Sequence, residues 1–364
     1  MKKKKQYDKV FLGIVIALLI FGVLAFSSAS LGLAMRRGLD FYNSILKQFF
    51  LGMGLGIFAL ILASKIDYHF WKKISLFIFG AGVFLTLLVF VPGLGIEHGG
   101  AIRWLDLKII TFQPSEFLKF GFILYLASWM ASRKNEIGSL KFGFLPFLIL
   151  VGLVSFLLIK QPDIGTLGVI SLSAAFLFFV GGGRFLQIGV FLLAAFGLLV
   201  VLVFFQPHLL PRIQVFLNPD IDPQGIGYQL RQSLIALGSG GIFGRGFGMS
   251  VQKFSYLPEP MGDSIFAVIG EEFGFLGTVF VVVIFLFFLL RGMAVAKNAP
   301  DFFGRLLGFG LVILIVVQSF VNISAMSGLI PLTGLPLLFI SQGGTALAMT
   351  LAEVGILLNI SKKS

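Results

Sequence analysis

A chain of 364 residues that is 57% hydrophobic and 12% charged, with 44 Phe and a mean hydropathy of +1.01, excludes a soluble domain of ordinary make-up. Its net charge of +12, from 28 basic and 16 acidic residues, reads here as basic loops beside anionic lipid, and no nucleic-acid partner is implied. The absence of Cys removes disulfides, thiolate chemistry and cysteine-zinc sites, and the isolated His69, His98 and His208 make no metal-ligand spacing.

With no water in a bilayer core, long apolar runs must be helices or strands of a closed barrel. These runs are continuous rather than alternating, which predicts helices. The expected fold is therefore all-α: a polytopic integral membrane protein of about ten transmembrane helices, counting runs near the 20 residues a crossing needs. The first, Val10 to Ser30, follows a basic start that resembles a signal peptide. The run is long, however, and more spans follow, so it is read as a retained helix. Next come Phe49 to Ser64, Ile74 to Val91, Phe117 to Ser132, Phe142 to Ile159, Ile164 to Val180 and Phe185 to Phe205. After a long polar interruption, the last three are Ser264 to Leu290, Leu306 to Met326 and Leu335 to Ile360.

Basic residues orient the series, because short Lys- and Arg-rich loops stay cytoplasmic. Lys2 to Lys5, Lys9, Lys362 and Lys363 put both termini inside, and the loops holding Lys65, Lys72 and Lys73, Arg133, Lys134 and Lys141, Arg184, and Arg291, Lys297 and Arg305 agree. Arg36, Arg37 and Lys47 near the first outer loop dissent.

Chemistry is expected in three polar islands near the outer face: Gly99 to Lys119, Gln161 to Thr166, and a large glycine-rich loop of about 206–263 between the seventh and eighth spans. The chain is expected to be one membrane domain, since this loop is too polar and too small to bury its own core. Its glycines do not make a Walker loop, because Phe247 stands where a Lys is needed. Nor do they make a dinucleotide fingerprint, because Phe243 takes the place of the last Gly. Asp263 opens the eighth span, where an Asp ordinarily caps the helix; partly buried, it would also be a usable base. Glu116 and Lys119 share a helix face after Pro114 and can neutralise each other, while Asp163 opens the sixth span after Pro162. Arg103 offers a guanidinium to phosphate beside the interface anchor Trp104.

These residues carry a resemblance in order along nearly the whole chain. Gly100-Ala101-Ile102-Arg103-Trp104, Gln113-Pro114-Ser115-Glu116 with Lys119, Gln161-Pro162-Asp163 and Gly227-Tyr228-Gln229 with Gln232-Ser233 come first. Tyr256-Leu257-Pro258-Glu259, Asp263 to Glu272, and Gly334-Leu335-Pro336 with Ser341-Gln342-Gly343-Gly344 follow. The set resembles the SEDS (shape, elongation, division and sporulation) family of FtsW/RodA type. The Pro258-Glu259-Pro260 and Asn322 to Ile330 stretches are more similar to its division-type members. The chain departs from the family's pattern at Met261-Gly262, where the family often has His-Thr, and at Gln342, where it often has Tyr.

The resemblance implies a peptidoglycan glycosyltransferase that polymerises lipid II at the outer face of the bacterial cytoplasmic membrane and releases undecaprenyl pyrophosphate. Its expected partners are a class B penicillin-binding transpeptidase and other divisome or elongasome membrane proteins. Asp263 is the candidate base. Arg103, Lys119 and Lys253 are candidates for the pyrophosphate, and Glu116, Asp163, Gln232 and Ser341 for further substrate contacts. A divalent cation (Mg or Mn) is left open, with Glu116 and Asp163 as its candidate ligands. Two other classes stay open beside the enzyme: a lipid II flippase, which needs no base, and a non-catalytic scaffold, for which no outer carboxylate matters.

Overall fold

The structure, a computed structural model, describes residues 6–37, 52–98, 101–106, 108, 111–206, 209–222 and 225–363. Lys2 to Lys5, Lys47 and the start of the second expected run at Phe49 lie outside the described residues, as do Gly99, Gly100 and His208.

In chain order the elements are α1 (Lys9–Arg37), α2 (Leu55–Lys65), α3 (Tyr68–Leu88), β1 (Gly95–His98), β2 (Ala101–Asp106), β3 (Thr111–Phe112), α4 (Pro114–Ser132), α5 (Leu145–Lys160), α6 (Ile164–Val180) and α7 (Phe185–Phe205). These are followed by α8 (Leu209–Leu217), α9 (Ile226–Ser239), α10 (Gln252–Ser255), α11 (Ile265–Lys297), α12 (Phe302–Met326) and α13 (Gly344–Lys363). Among the described residues, seven helices are long and apolar enough to cross a membrane: α1, α3, α5 with the π-turn before it, α7, α11, α12 and α13. α2 and α6 are apolar but shorter, and α4 carries the charged pair Glu116 and Lys119 in its first turns.

Two expectations are corrected. The chain is not purely helical, because β1, β2 and β3 form a small antiparallel sheet in that order, which carries Arg103 on its central strand. The last run does not become helix at Leu335 but at Gly344. Residues 331–343 form irregular chain, with Pro331 and Pro336 each lacking an amide for a helical ladder. The long polar interruption contains α8, α9 and α10.

The bundle is built around α12, whose membrane window is 78% buried, while α7 stands at the edge with 11% buried. Small residues allow close helix approach. A Cβ at Gly355 of α13 would come within 2.4 Å of the Leu60 carbonyl oxygen of α2, so only glycine lets these backbones meet.

Helix α11 is broken. Gly274 has φ 65° and ψ −160°, a conformation open to glycine and costly to other residues. The break frees two carbonyls and two amides, and the preceding segment takes all four. Arg245 N donates to Glu271 O at 3.0 Å and Gly246 N to Glu272 O at 3.0 Å, while Phe275 N donates to Gly241 O at 2.8 Å and Leu276 N to Ile242 O at 3.1 Å. The glycines of 240–248 thus serve a backbone exchange with a broken helix. The first half of α11, with Asp263 and Ser264 before its first turn, is set apart from the second half.

Candidate active site

Asp263 precedes this half-helix and is fixed from three directions. Gln229 of α9 donates through Nε2 to both carboxylate oxygens, at 3.1 and 3.2 Å, and to Ser264 Oγ at 3.1 Å. Behind it, Asn322 of the enclosed helix α12 donates through Nδ2 to the Asp263 carbonyl and to the Leu335 carbonyl, both at 2.7 Å. Ser341 Oγ donates to the Gly262 carbonyl at 2.6 Å and accepts from Leu337 N at 2.9 Å. Dense surroundings enclose the Asp263 side chain, yet the residue keeps an accessible face. Burial pushes its carboxyl up to about 6 and the Glu259 charge adds to this, against the hydrogen bonds from Gln229 and Ser264. The result is a carboxylate ionised at neutral pH, basic enough to take a proton, and reachable.

Asp163 caps α6 by accepting from Thr166 N at 3.3 Å through Oδ1. Its Oδ2 is buried without a protein partner, as are Gln161 Oε1 and Thr166 Oγ1. Arg103 reaches over from β2 and donates through Nη2 to the Pro162 carbonyl. A second arginine joins it: Arg212 of α8 donates to the Leu332 carbonyl at 2.9 Å. Burial, and then the like charge of Arg103, holds the Arg212 guanidinium below its ordinary value, while Asp263 and Asp163 oppose this. Those three charges, Arg103, Asp263 and Asp163, therefore lie within electrostatic reach of Arg212.

The other candidates sit elsewhere. Glu116 and Lys119 form an ion pair at 2.7 Å, with both side chains 3% exposed. Lys119 also donates to Gln318 of α12, and Glu353 of α13 is buried close enough to feel both charges. A divalent cation does not fit Glu116, whose carboxylate already holds an ammonium, and no group of three or more metal-ligating side chains occurs among the described residues. Lys253 does not face a substrate. Its amine is enclosed on Glu272 at 2.6 Å and Ser28 at 2.9 Å. Gln229, one turn before Gln232, is the glutamine that reaches Asp263, and Ser341 orders backbone behind it.

Sequence reasoning did not single out Arg212, Gln229 or Asn322 for the site, nor a function for Glu271 and Glu272. Glu271 accepts from Ser250 Oγ at 2.5 Å, Val251 N at 3.0 Å and Gln252 N at 3.2 Å, capping α10. Glu272 takes Lys253 and both hydrogen bonds from Ser28 Oγ of α1, at 2.7 and 2.6 Å. Two adjacent carboxylates inside an apolar run were the available signal, since buried charges must be partnered.

A half-buried, basic carboxylate before a broken membrane helix, within electrostatic reach of Arg212, defines a multi-pass membrane protein with an ionic site at one end of its bundle. The family model for cell cycle proteins of the FtsW, RodA and SpoVE group matches residues 8–364, and the chain belongs to that family, the SEDS proteins. It is 38% identical over 367 residues to stage V sporulation protein E of Bacillus subtilis, covering 100% of this chain and 99% of that protein. It is 39% identical over 363 residues to a probable peptidoglycan glycosyltransferase FtsW of Geobacter sulfurreducens, covering 100% and 97%. Among solved structures it is similar to a chain of a peptidoglycan synthase complex, with TM-score 0.79 and 28% identity over 98% of this chain and 97% of that one. It is also similar to the rod shape determining protein RodA of Thermus thermophilus, at 0.71 and 26% over 98% and 96%.

Proposed function

We infer that this peptidoglycan glycosyltransferase polymerises lipid II through Asp263 acting as general base. A sugar hydroxyl is a poor nucleophile at neutral pH. Asp263 takes the proton of the acceptor's 4-hydroxyl as its oxygen bonds to the donor's anomeric carbon. The bond from that carbon to the diphosphate breaks on the opposite face, and undecaprenyl pyrophosphate leaves with the electron pair, so that an α-linked donor becomes a β-linked glycan. Arg103 stabilises the charge growing on the leaving group, and Asp163 contacts the sugar or diphosphate nearby. The single observation that carries this reading is the accessible Asp263 carboxylate, pushed up to about 6 and steered by Gln229.

The reading includes ten crossings, both termini in the cytoplasm of a bacterium, the site at the outer face of the cytoplasmic membrane, and a class B penicillin-binding transpeptidase as partner. The relatives named FtsW favour a division role. The test is lipid II polymerisation by the purified chain with and without a cognate transpeptidase, native against Asp263→Asn. Polymer from the native chain and none from the folded variant is expected. Undiminished polymer from the variant removes Asp263 from the mechanism, and no polymer from the native chain with its partner revives the flippase.

A further inference from the structure

One segment of the polar interruption is not polar. Between Gly241 and Val251 the residues Ile242, Phe243, Phe247 and Met249 are 63%, 79%, 53% and 63% exposed, and Arg245 is the one charged residue in the stretch. The backbone here is fixed to α11 by the four hydrogen bonds around Gly274, so these side chains stand on a held main chain and are left uncovered by the bundle. Phe247 lies near Phe273, whose ring in turn meets Phe21 of α1, with centroids 6.3 and 5.8 Å apart.

Two contacts between α1 and α11 give the depth of this segment. At one end of the bundle Arg291 of α11 pairs with Asp8, just before α1, at 2.7 Å. At the other, Ser28 of α1 donates to Glu272 of α11 at 2.6 Å, and Gly246 N donates to the carbonyl of that same Glu272. Helical rise puts the two levels about 30 Å apart along α1, from Asp8 to Ser28, and about 28 Å apart along α11, from Arg291 to Glu272. A hydrocarbon core is about 30 Å thick. With the Asp8–Arg291 pair at one boundary, the segment lies at the other, on the side of Asp263. Phe275 and Leu276, which donate to it, are themselves exposed, and α11 continues from them to Lys297 as a membrane-spanning helix. The uncovered side chains are therefore level with, and joined to, the lipid-facing side of a span. In water so many large apolar groups on one short stretch are unfavourable, and at a lipid boundary they are stabilising.

We propose that segment 242–249 is an interfacial anchor seated in the lipid of the leaflet on the Asp263 side. Ile242, Phe243, Phe247 and Met249 enter the boundary of the acyl chains, and Arg245 lies at the phosphate layer. The Arg245 guanidinium is 3.4 Å from Glu271, and the side chain is 41% exposed, which leaves its outer side open to a lipid phosphate. Because the same segment is bound at the broken turn of α11, this seat sets the height at which the first half of that helix, and Asp263 before it, stands over the leaflet. The anchor holds whichever reaction Asp263 performs.

The sequence has no Cys, so single-cysteine variants each carry one environment-sensitive fluorophore. The full chain, without a partner, is placed in phosphatidylcholine nanodiscs. Quenching is compared between lipids spin-labelled near the head of the acyl chain, lipids spin-labelled near its tail, and iodide in the water. Labels at Phe243→Cys and Phe247→Cys should be quenched at least about threefold more by the shallow lipid label than by iodide. Leu193→Cys, exposed midway along α7, should respond most to the deep lipid label, and Asn135→Cys, exposed in the turn after α4, to iodide alone. Phe243→Glu with Phe247→Glu should move a label at Met249→Cys from lipid quenching to iodide quenching by about threefold, with thermal melting showing that the fold is kept. Iodide quenching at Phe243→Cys and Phe247→Cys as strong as at Asn135→Cys would overturn the proposal. So would shielding from iodide that arises only when a partner protein is added, which would make the segment a protein-docking surface, or an unmoved Met249→Cys label in the double glutamate variant. The first two outcomes need no glutamate variant to fold.

Discussion

Gln229 donates one amide nitrogen to both oxygens of Asp263, at 3.1 and 3.2 Å, so helix α9 holds the carboxylate that opens helix α11. That hydrogen bond favours the ionised form, against burial. Because only ionised Asp263 can accept a proton, polymerisation should fall about tenfold between pH 7 and pH 5, following a single group near 6. Gln229→Ala removes the lowering contact and should move this acid limb to higher pH. A pH–rate profile of both proteins checks it; an unmoved limb would assign the titration to another group.

Asp263 should also cost stability at neutral pH. Its carboxyl is raised from 3.8 to about 6 on folding, so the folded state binds the proton more tightly than the unfolded one. The stability this contributes is full below 3.8 and is lost as pH rises through about 6. Asp263→Asn should therefore be inactive yet more stable at pH 7.5, by up to about 3 kcal/mol less whatever the accessible face screens. The advantage should vanish at pH 4. Thermal melts in detergent at the two pH values measure both parts.

The Lys253–Glu272–Ser28 cluster joins α1, α10 and α11 by buried charge. Lys253→Met strands the Glu272 carboxylate and should destabilise the protein by about 3–5 kcal/mol. Glu272→Gln added to Lys253→Met should recover at least about half of that, because the stranded charge is then gone. A double-mutant cycle on melting temperature reads the coupling; additive effects would mean that the pair does not interact.

Gly274→Ala tests the break in α11. The position has φ 65°, and a Cβ would lie 2.3 Å from Gly244 N and 2.5 Å from Ile242 O. A loss of at least about 2 kcal/mol is expected, with activity lost alongside it, whereas Gly168→Ala in an open part of α6 should be close to neutral.

Hydropathy made most of the helices legible, because runs such as Phe185 to Phe205 differ in composition from everything around them. It could not locate the start of α13, where Leu335 to Ile340 is as apolar as a helix but is held as irregular chain by Asn322 and Ser341. The Glu116–Lys119 pair followed from spacing alone. Arg103 and Asp163 were visible as charges at the ends of apolar runs. Arg212 was not, because its role depends on α8 folding back toward Asp163. Lys253 misled for the opposite reason: its partner, Glu272, lies 19 residues on in the chain, and they meet because Ser250, Val251 and Gln252 are held on the neighbouring Glu271 carboxylate.

That break ties the polar interruption to the bundle. Segment 241–246 closes four backbone groups of α11, and lifting it away would leave them unpaired, at about 1–3 kcal/mol each. Both sides of this join are main chain, so replacing the side chains of 241–246 leaves its hydrogen bonds in place, and only a change of backbone conformation undoes it.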